Sequence, residues 1–195
     1  MRFAYKPIRV TAPAEKPVSV EEAMLYCRVD DPDQSPMIDR FVGAATEHLD
    51  GYSGTLGRCI VTQVWSLTFD RFCKILRLPF PASEIVSIKH VDASDVEQTV
   101  AASVYALRHD ALGSYVELKS DQSWPAIADR REAVKITFKA GFGAAEAVPE
   151  GIKTAILMIV REVYDAGKSD TESAPRIALS GVMKWFLSDY ALKAL

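Results

Sequence analysis

The sequence predicts an α+β protein whose helices flank an antiparallel β insertion. Three observations carry the prediction. Apolar residues recur at helical spacing before residue 50 and again after residue 149; between about 57 and 140 the period drops to two and β-branched and aromatic residues dominate; and no helix-length pattern interrupts those strands, which argues against βαβ topology. The expected organisation is an N-terminal arm (1–18), a main domain (19–167), a linker (168–176) and a C-terminal helix (177–195).

Within the main domain, the first helix is expected over 19–28. Ser19-Val20-Glu21-Glu22 reads as a capping box, with the Ser19 hydroxyl accepting from the Glu22 amide. The second helix, 35–50, opens on Ser35-Pro36 and carries the stripe Met37, Ile38, Phe41, Val42, Ala45 and Leu49 before Gly51 stops it. The β insertion, 57–140, reads as about six strands: CIVTQVWSLTF, KILRL, EIVSIKHV, VYALRH, SYVELK and AVKITFK. Pro79, Pro81 and the clusters Asp92 to Asp95, Asp110 to Gly113 and Asp121 to Pro125 mark the turns between them. A third helix, 149–166, starts at Pro149 and is apolar beyond its stripe of Ile152, Ala155, Ile156, Ile159, Val160 and Val163, because Leu157, Met158 and Tyr164 lie off it. It is expected to be buried on several sides.

Composition narrows the function. The 195 residues are 49% hydrophobic and 25% charged, the profile of a globular chain large enough to fold without staples. Twenty-three Lys plus Arg against 26 Asp plus Glu give a formal charge of −3, which supplies no global attraction to nucleic acid or anionic lipid. Cys27, Cys59 and Cys73 form no CxxC pair, so neither a disulfide framework nor a zinc site is expected and a reducing cytoplasm is. There is no signal-peptide run and no stretch of 18 apolar residues, so the chain is expected to begin at Met1 and to cross no membrane.

No motif points to catalysis. Gly141-Phe142-Gly143-Ala144-Ala145-Glu146 has a glutamate where a dinucleotide-binding turn needs its third glycine, and reads as a connection. Asp30, Asp31 and Asp33 lack the ligand ladder of a calcium loop and read as turn and capping residues. His48, His90 and His109 stand singly, and there is neither a G-x-S-x-G elbow nor an HExxH pair. No catalytic, cofactor or metal site is therefore expected. A hydrolase would need a pocket gathering His90 or His109 with a carboxylate.

The three tryptophans separate by context. Trp65 alternates with Val61, Leu67 and Phe69 and is expected in the core, while Trp124 sits in a connection as a seal for a sheet edge. Trp185 belongs to the last segment, where Leu179, Val182, Met183, Phe186 and Tyr190 share a helical face with Trp185 and Leu192 beside it. The polar run before it reads as a flexible linker, so this helix is expected to be tethered and to find its seat on a partner.

The succession PVSVEEAMLYCRVD, a second amphipathic helix, GRCIVTQVWSLTFDRF, KILRLPFP, a Trp-Pro pair, VKITFKAGFG and VPEGIKTAILMIVREVYD resembles the head–tail connector (adaptor, or head-completion) proteins of tailed phages and of phage-derived gene transfer agents. The resemblance spans about 17–165; one departure is that Tyr164 is followed by Asp165-Ala166-Gly167-Lys168 instead of an arginine-containing segment. It implies a structural, non-enzymatic adaptor forming a homo-oligomeric ring, dodecameric by analogy, between the portal protein and a tail-proximal connector or stopper protein. DNA would pass through its channel without sequence-specific binding. The place implied is the host cytoplasm during assembly and then the head–tail interface of the particle. It also implies that the C-terminal helix engages the portal, with Trp185, Phe186 and Tyr190 as anchors and Val182 and Leu192 around them. The alternative is a DNA-binding or packaging accessory protein using Arg58, Arg71, Lys74 and Arg77 as a local basic patch.

Overall fold

A computed structural model describes residues 5–167 and 181–191. The chain divides into two compact units. One comprises Glu15–Val61 and Phe142–Leu192, and the other the N-terminal residues to Ala14 with Thr62–Gly141. Helices and antiparallel sheets segregate between them, so the α+β class and the β insertion predicted from periodicity are both present.

The helical unit is built from α1 (Val20–Cys27), a 3-10 turn (Pro32–Gln34), α2 (Ser35–Leu49), α3 (Glu150–Ala166) and α4 (Gly181–Leu187). Ser19 caps α1, its Oγ accepting from the Glu22 amide at 3.1 Å, and Arg28 closes the helix in the left-handed region at φ 56°. Asp31 caps the 3-10 turn through the Asp33 amide, which leads straight into α2, so Ser35 lies inside that helix and not at its cap. Pro149 likewise stands at the cap position of α3, one residue before the first helical turn.

The core of this unit is an interdigitation of Ala23 and Cys27 from α1, Ile38, Val42, Ala45 and Leu49 from α2, and Ile152, Ala155, Ile156, Ile159 and Val160 from α3. Leu157 and Tyr164, off the main stripe, are buried as well, so α3 is covered on more than one side. The Tyr164 hydroxyl donates to Gln34 Oε1 at 2.8 Å, and Arg161 donates to the Tyr26 carbonyl at 3.3 Å, which fixes the C-terminal end of α3 against the α1–α2 connection.

After α2 the chain turns sharply. The Thr55 and Leu56 amides donate to the carbonyls of His48 and Leu49, and Asp50 Oδ1 accepts from the Ile60 amide at 2.7 Å. Gly54 lies so close to the end of α2 that a Cβ would stand 2.3 Å from the Asp50 carbonyl oxygen and 2.4 Å from that of Leu49.

The β unit contains a five-stranded antiparallel sheet, in the order β1 (Ile8–Thr11), β2 (Gln63–Phe69), β8 (Val134–Ala140), β4 (Ala82–Val91) and β5 (Glu97–Thr99). A three-stranded sheet follows the order β3 (Ile75–Arg77), β7 (Gly113–Leu118) and β6 (Tyr105–Asp110). Two strands differ from the sequence reading: β1 arises from the expected arm, and β5 was not anticipated. Alternation is clean in β8, where Val134, Ile136, Phe138 and Ala140 point inward and Lys135, Thr137 and Lys139 outward. Trp65 is 7% exposed, edge-on to Phe80 at 5.0 Å, so its predicted core place is met.

Buried Ser114 joins the two sheets. Its Oγ accepts from the Ala82 amide at 2.8 Å and lies 2.9 Å from His109 Nδ1, while its carbonyl accepts from Leu78. Trp124 stacks on Phe72 at 4.4 Å, nearly parallel, and donates to the Cys73 carbonyl at 3.1 Å. Arg77 grips Asp110 through both guanidinium nitrogens, at 2.7 and 2.5 Å, and lies over the Tyr115 ring.

Two predictions follow from this architecture. Gly54→Ala requires the backbone to move and is expected to destabilise by about 2 kcal/mol, whereas Gly181, with nothing within 4 Å of its Cβ position, tolerates alanine; thermal denaturation of the two variants checks the contrast. The second concerns acid. The Arg77 guanidinium holds Asp110 below the usual carboxylate range, the Val96 amide with Gln98 and Ser94 does the same for Asp92, and the Tyr5 hydroxyl for Asp70. Depressed carboxylates contribute stability that is complete above their unfolded pKa near 4 and is lost as pH falls through the folded value. The midpoint of thermal unfolding should therefore fall as pH drops below about 4, and Asp110→Asn should flatten that fall while lowering the midpoint at neutral pH.

Candidate interaction surface

The C-terminal helix was expected to lack a seat on its own subunit, and the structure corrects this. Met183 is fully buried and Leu187 4% exposed, both within the core of the helical unit. They are four residues apart, hence one above the other on a single face. The seat is completed at the start of α3 by Gly151, where a Cβ would stand 3.1 Å from Tyr190 Cε2 and 3.3 Å from the Phe186 carbonyl oxygen. Glycine is what lets the two segments approach this closely.

Beyond α4, the chain is held by an aromatic and cationic cluster. Tyr190 meets Phe142 edge-on at 6.3 Å, the Arg58 guanidinium lies 4.4 Å from the centre of the same Phe142 ring, and Arg58 Nη1 donates to the Tyr190 carbonyl at 3.2 Å. Burial pulls the Arg58 pKa down from its ordinary value, yet arginine keeps its charge under any ordinary condition. The charge is therefore held for this contact.

The predicted docking residues separate accordingly. Val182 is 55% exposed and Trp185 71%; three residues apart on α4, they share its outward face. Phe186 is half-buried and edge-on to Trp185 at 5.0 Å, while Tyr190, also half-buried, is engaged with Phe142 in its own subunit. Leu192, Leu179 and the expected linker 168–176 lie outside the described residues. Sequence reasoning missed Leu187 as a core residue and Gly151 as a contact; the i, i+4 pairing of Leu187 with Met183 was the available signal. The outward surface is thus an apolar pair beside a half-buried aromatic ring, on a helix whose opposite side is already anchored.

Of the four residues of the alternative reading, two are already engaged within their own units. Arg58 belongs to the helical unit and is committed to Phe142 and Tyr190, and Arg77 is committed to Asp110; Arg71 and Lys74 remain exposed. His90 faces inward, 6.0 Å from the Phe72 ring, and His109 is bonded to Ser114. Among the described residues no group of three His, Cys, Asp or Glu side chains is placed to hold a metal ion, and no helix is long and apolar enough to cross a membrane.

The close approach at Gly151 makes the seat of α4 testable. Gly151→Val places two further methyl groups against Tyr190 and the Phe186 carbonyl and should lift α4 while leaving α3 helical. Amide hydrogen exchange over 184–191 is expected to accelerate at least tenfold, an outcome of about 1.4 kcal/mol of lost local protection.

No family model matches the chain, and no curated protein matches it. Solved structures do. A chain in the neck of an empty GTA particle, computed with C6 symmetry, superposes with a TM-score of 0.76 at 20% identity, covering 98% of this chain and 97% of that one. A chain in the virion of a native gene transfer agent (GTA) particle gives 0.72 at 22% identity, and one in the neck of a native GTA particle, computed with C12 symmetry, 0.69 at 18%, with the same coverage. The resemblance read from the sequence, to connectors of phages and gene transfer agents, is matched by the structural neighbours: over nearly its whole length, this chain has the fold of chains in gene transfer agent particles.

Proposed function

We propose that this protein is a structural component of a phage or phage-like particle, and within it the head–tail adaptor: a ring of identical copies between portal and tail that extends the DNA channel. The observation that carries the reading is that the match to chains of gene transfer agent necks, in structures computed with C6 and C12 symmetry, covers 98% of this chain and so includes both the helical and the β unit. A part shared this completely points to a shared building role more than to a borrowed domain. The formal charge of −3 fits a conduit, since each neutralised phosphate would add salt-dependent affinity and retard passage.

On this reading the outward face of α4 meets the portal. Val182 and Trp185 are the apolar pair left over once Met183 and Leu187 have been used for folding, and tryptophan is the side chain most often found as an interface anchor. Tyr190 acts differently: it positions α4 through Phe142 and Gly151, and the docking contact is built on that support.

Electron microscopy of the purified protein with and without the portal of its particle tests the ring. Trp185→Ala tests the face. Because Trp185 is 71% exposed, the substitution should leave folding stability within about 0.5 kcal/mol, while weakening portal binding by about 2 kcal/mol, roughly thirtyfold in Kd. Unaltered affinity would exclude Trp185 as the anchor.

A further inference from the structure

The two units carry net charges of opposite sign. Among the described residues the helical unit has 14 acidic against 7 basic side chains, net −7, whereas the β unit has 10 against 12, net +2. Ion pairs formed inside a unit leave these totals unchanged. Unlike charge on two parts of one chain favours contacts between copies that join unlike units.

On each unit, one surface combines that charge with exposed apolar area. In the β unit a groove of about 860 Å3 opens over Ala106 of β6 and Glu117 of β7, which are cross-strand neighbours. The stacked rings of Phe72 and Trp124 line it, with exposed Cys73 beside them. Its cations are Lys74, Arg108 and Lys119, all exposed. Arg108 pairs with Glu117 at 3.7 Å, which leaves two lysines against Asp121 as the remaining charges of the lining. Among the described residues neither Lys74 nor Lys119 has an ion-pair partner.

In the helical unit the matching surface is the outward side of α1. Leu25 is 81% exposed, more than any other large apolar side chain among the described residues, and Tyr26 beside it is 38% exposed. Glu21 and Glu22 stand four and three residues before Leu25 and therefore flank it on the helix surface. Among the described residues neither carboxylate has a cationic partner. An apolar ridge beside two carboxylates suits a groove with an aromatic wall and two unpaired lysines. The other exposed apolar helix face, Val182 with Trp185 on α4, carries Lys184 and would bring like charges together.

We propose that the occupant of the groove is α1 of a second copy: Leu25 enters beside Cys73 against the Phe72–Trp124 wall, and Glu21 and Glu22 meet Lys74 and Lys119. The contact joins unlike surfaces, so it is heterologous, repeats from copy to copy and closes into a ring when the rotation permits. The inference rests on the adaptor reading for the presence of several copies; the two surfaces are read from burial and charge.

Cys73 makes the contact testable in the full chain, because Cys27 and Cys59 are buried. Leu25→Cys should give, on mild oxidation, a reducible ladder extending beyond the dimer, linking the introduced thiol of one copy to Cys73 of the next. The unaltered chain alone, and the chain carrying Leu25→Cys with Cys73→Ser, should each give none. An equal mixture of those two chains should stop at the dimer. Adding Glu21→Lys and Glu22→Lys to the Leu25→Cys, Cys73→Ser chain should lower the dimer yield at least tenfold, and Lys74→Glu with Lys119→Glu in its partner should restore it. Thermal denaturation verifies that each variant is folded.

Rings in the electron microscope without a ladder would overturn the groove contact and leave the adaptor reading intact. A ladder with no recruitment to portal would support the groove contact and count against the adaptor reading. Dimers of the Leu25→Cys, Cys73→Ser chain by itself would overturn the pairing of unlike surfaces. If Lys74→Glu with Lys119→Glu abolished binding to a duplex oligonucleotide and left the mixed dimer unaltered, the groove's ligand would be DNA and the proposal would fall. Neither rings nor a ladder would overturn both readings.

Discussion

The fold of the helical unit turns on the burial of α3. A helix apolar around most of its circumference cannot lie on a surface; it must be covered on several sides, and no single neighbour is wide enough to do that. Here α1 and α2 come from before the β insertion and α4 from after it, so residues far apart in sequence converge on Ile152, Ile156 and Val160. The insertion is tolerated because Val61 and Phe142, where the chain leaves and re-enters this unit, are held together: the Phe142 amide donates to the Ile60 carbonyl at 2.9 Å. A long excursion between fixed ends adds little entropy cost to the core it interrupts.

Much of this was legible in the sequence. The change of period near residue 57 located the β insertion, and the stripe Ile38, Val42, Ala45 and Leu49 is the buried face of α2. Two strands escaped for physical reasons. β1 is four residues between prolines, a composition that reads as an arm, and only pairing with β2 makes it a strand. β5 is Glu97-Gln98-Thr99, polar throughout, and is held by Asp92, whose carboxylate accepts from the Ser94 and Val96 amides and from Gln98. Such a strand exists because a turn aims it at its neighbour, and propensity carries no trace of that.

The candidate surface was half legible. Apolar residues crowd α4 from Val182 to Leu187, and a helix with more apolar positions than one stripe leaves the inward face undetermined. The sequence reading put Val182, Met183 and Phe186 on one face and gave that face to a partner, but Met183 with Leu187 forms a seat on the chain's own core, a rotation of about one residue that leaves Val182 outside. Gly151 is compatible with this seat: it leaves space at the start of α3 for the Phe186 carbonyl and the Tyr190 ring, with Met183 inward and Trp185 outward.

On the proposed reading, that rotation gives α4 two employments at once. Seven residues make a helix too short to persist alone, because nucleation costs several fixed dihedrals before the first hydrogen bond is returned. Its order depends on two fully buried side chains, each stabilising by about 1.5–3 kcal/mol at most, together with the grip of Arg58 and Phe142 on Tyr190. A surface that covers Val182 and Trp185 stabilises the same helix from its other side. On the proposed reading binding and local folding are then linked, and whatever strengthens the seat at Gly151 would also prepare the outward face for the portal.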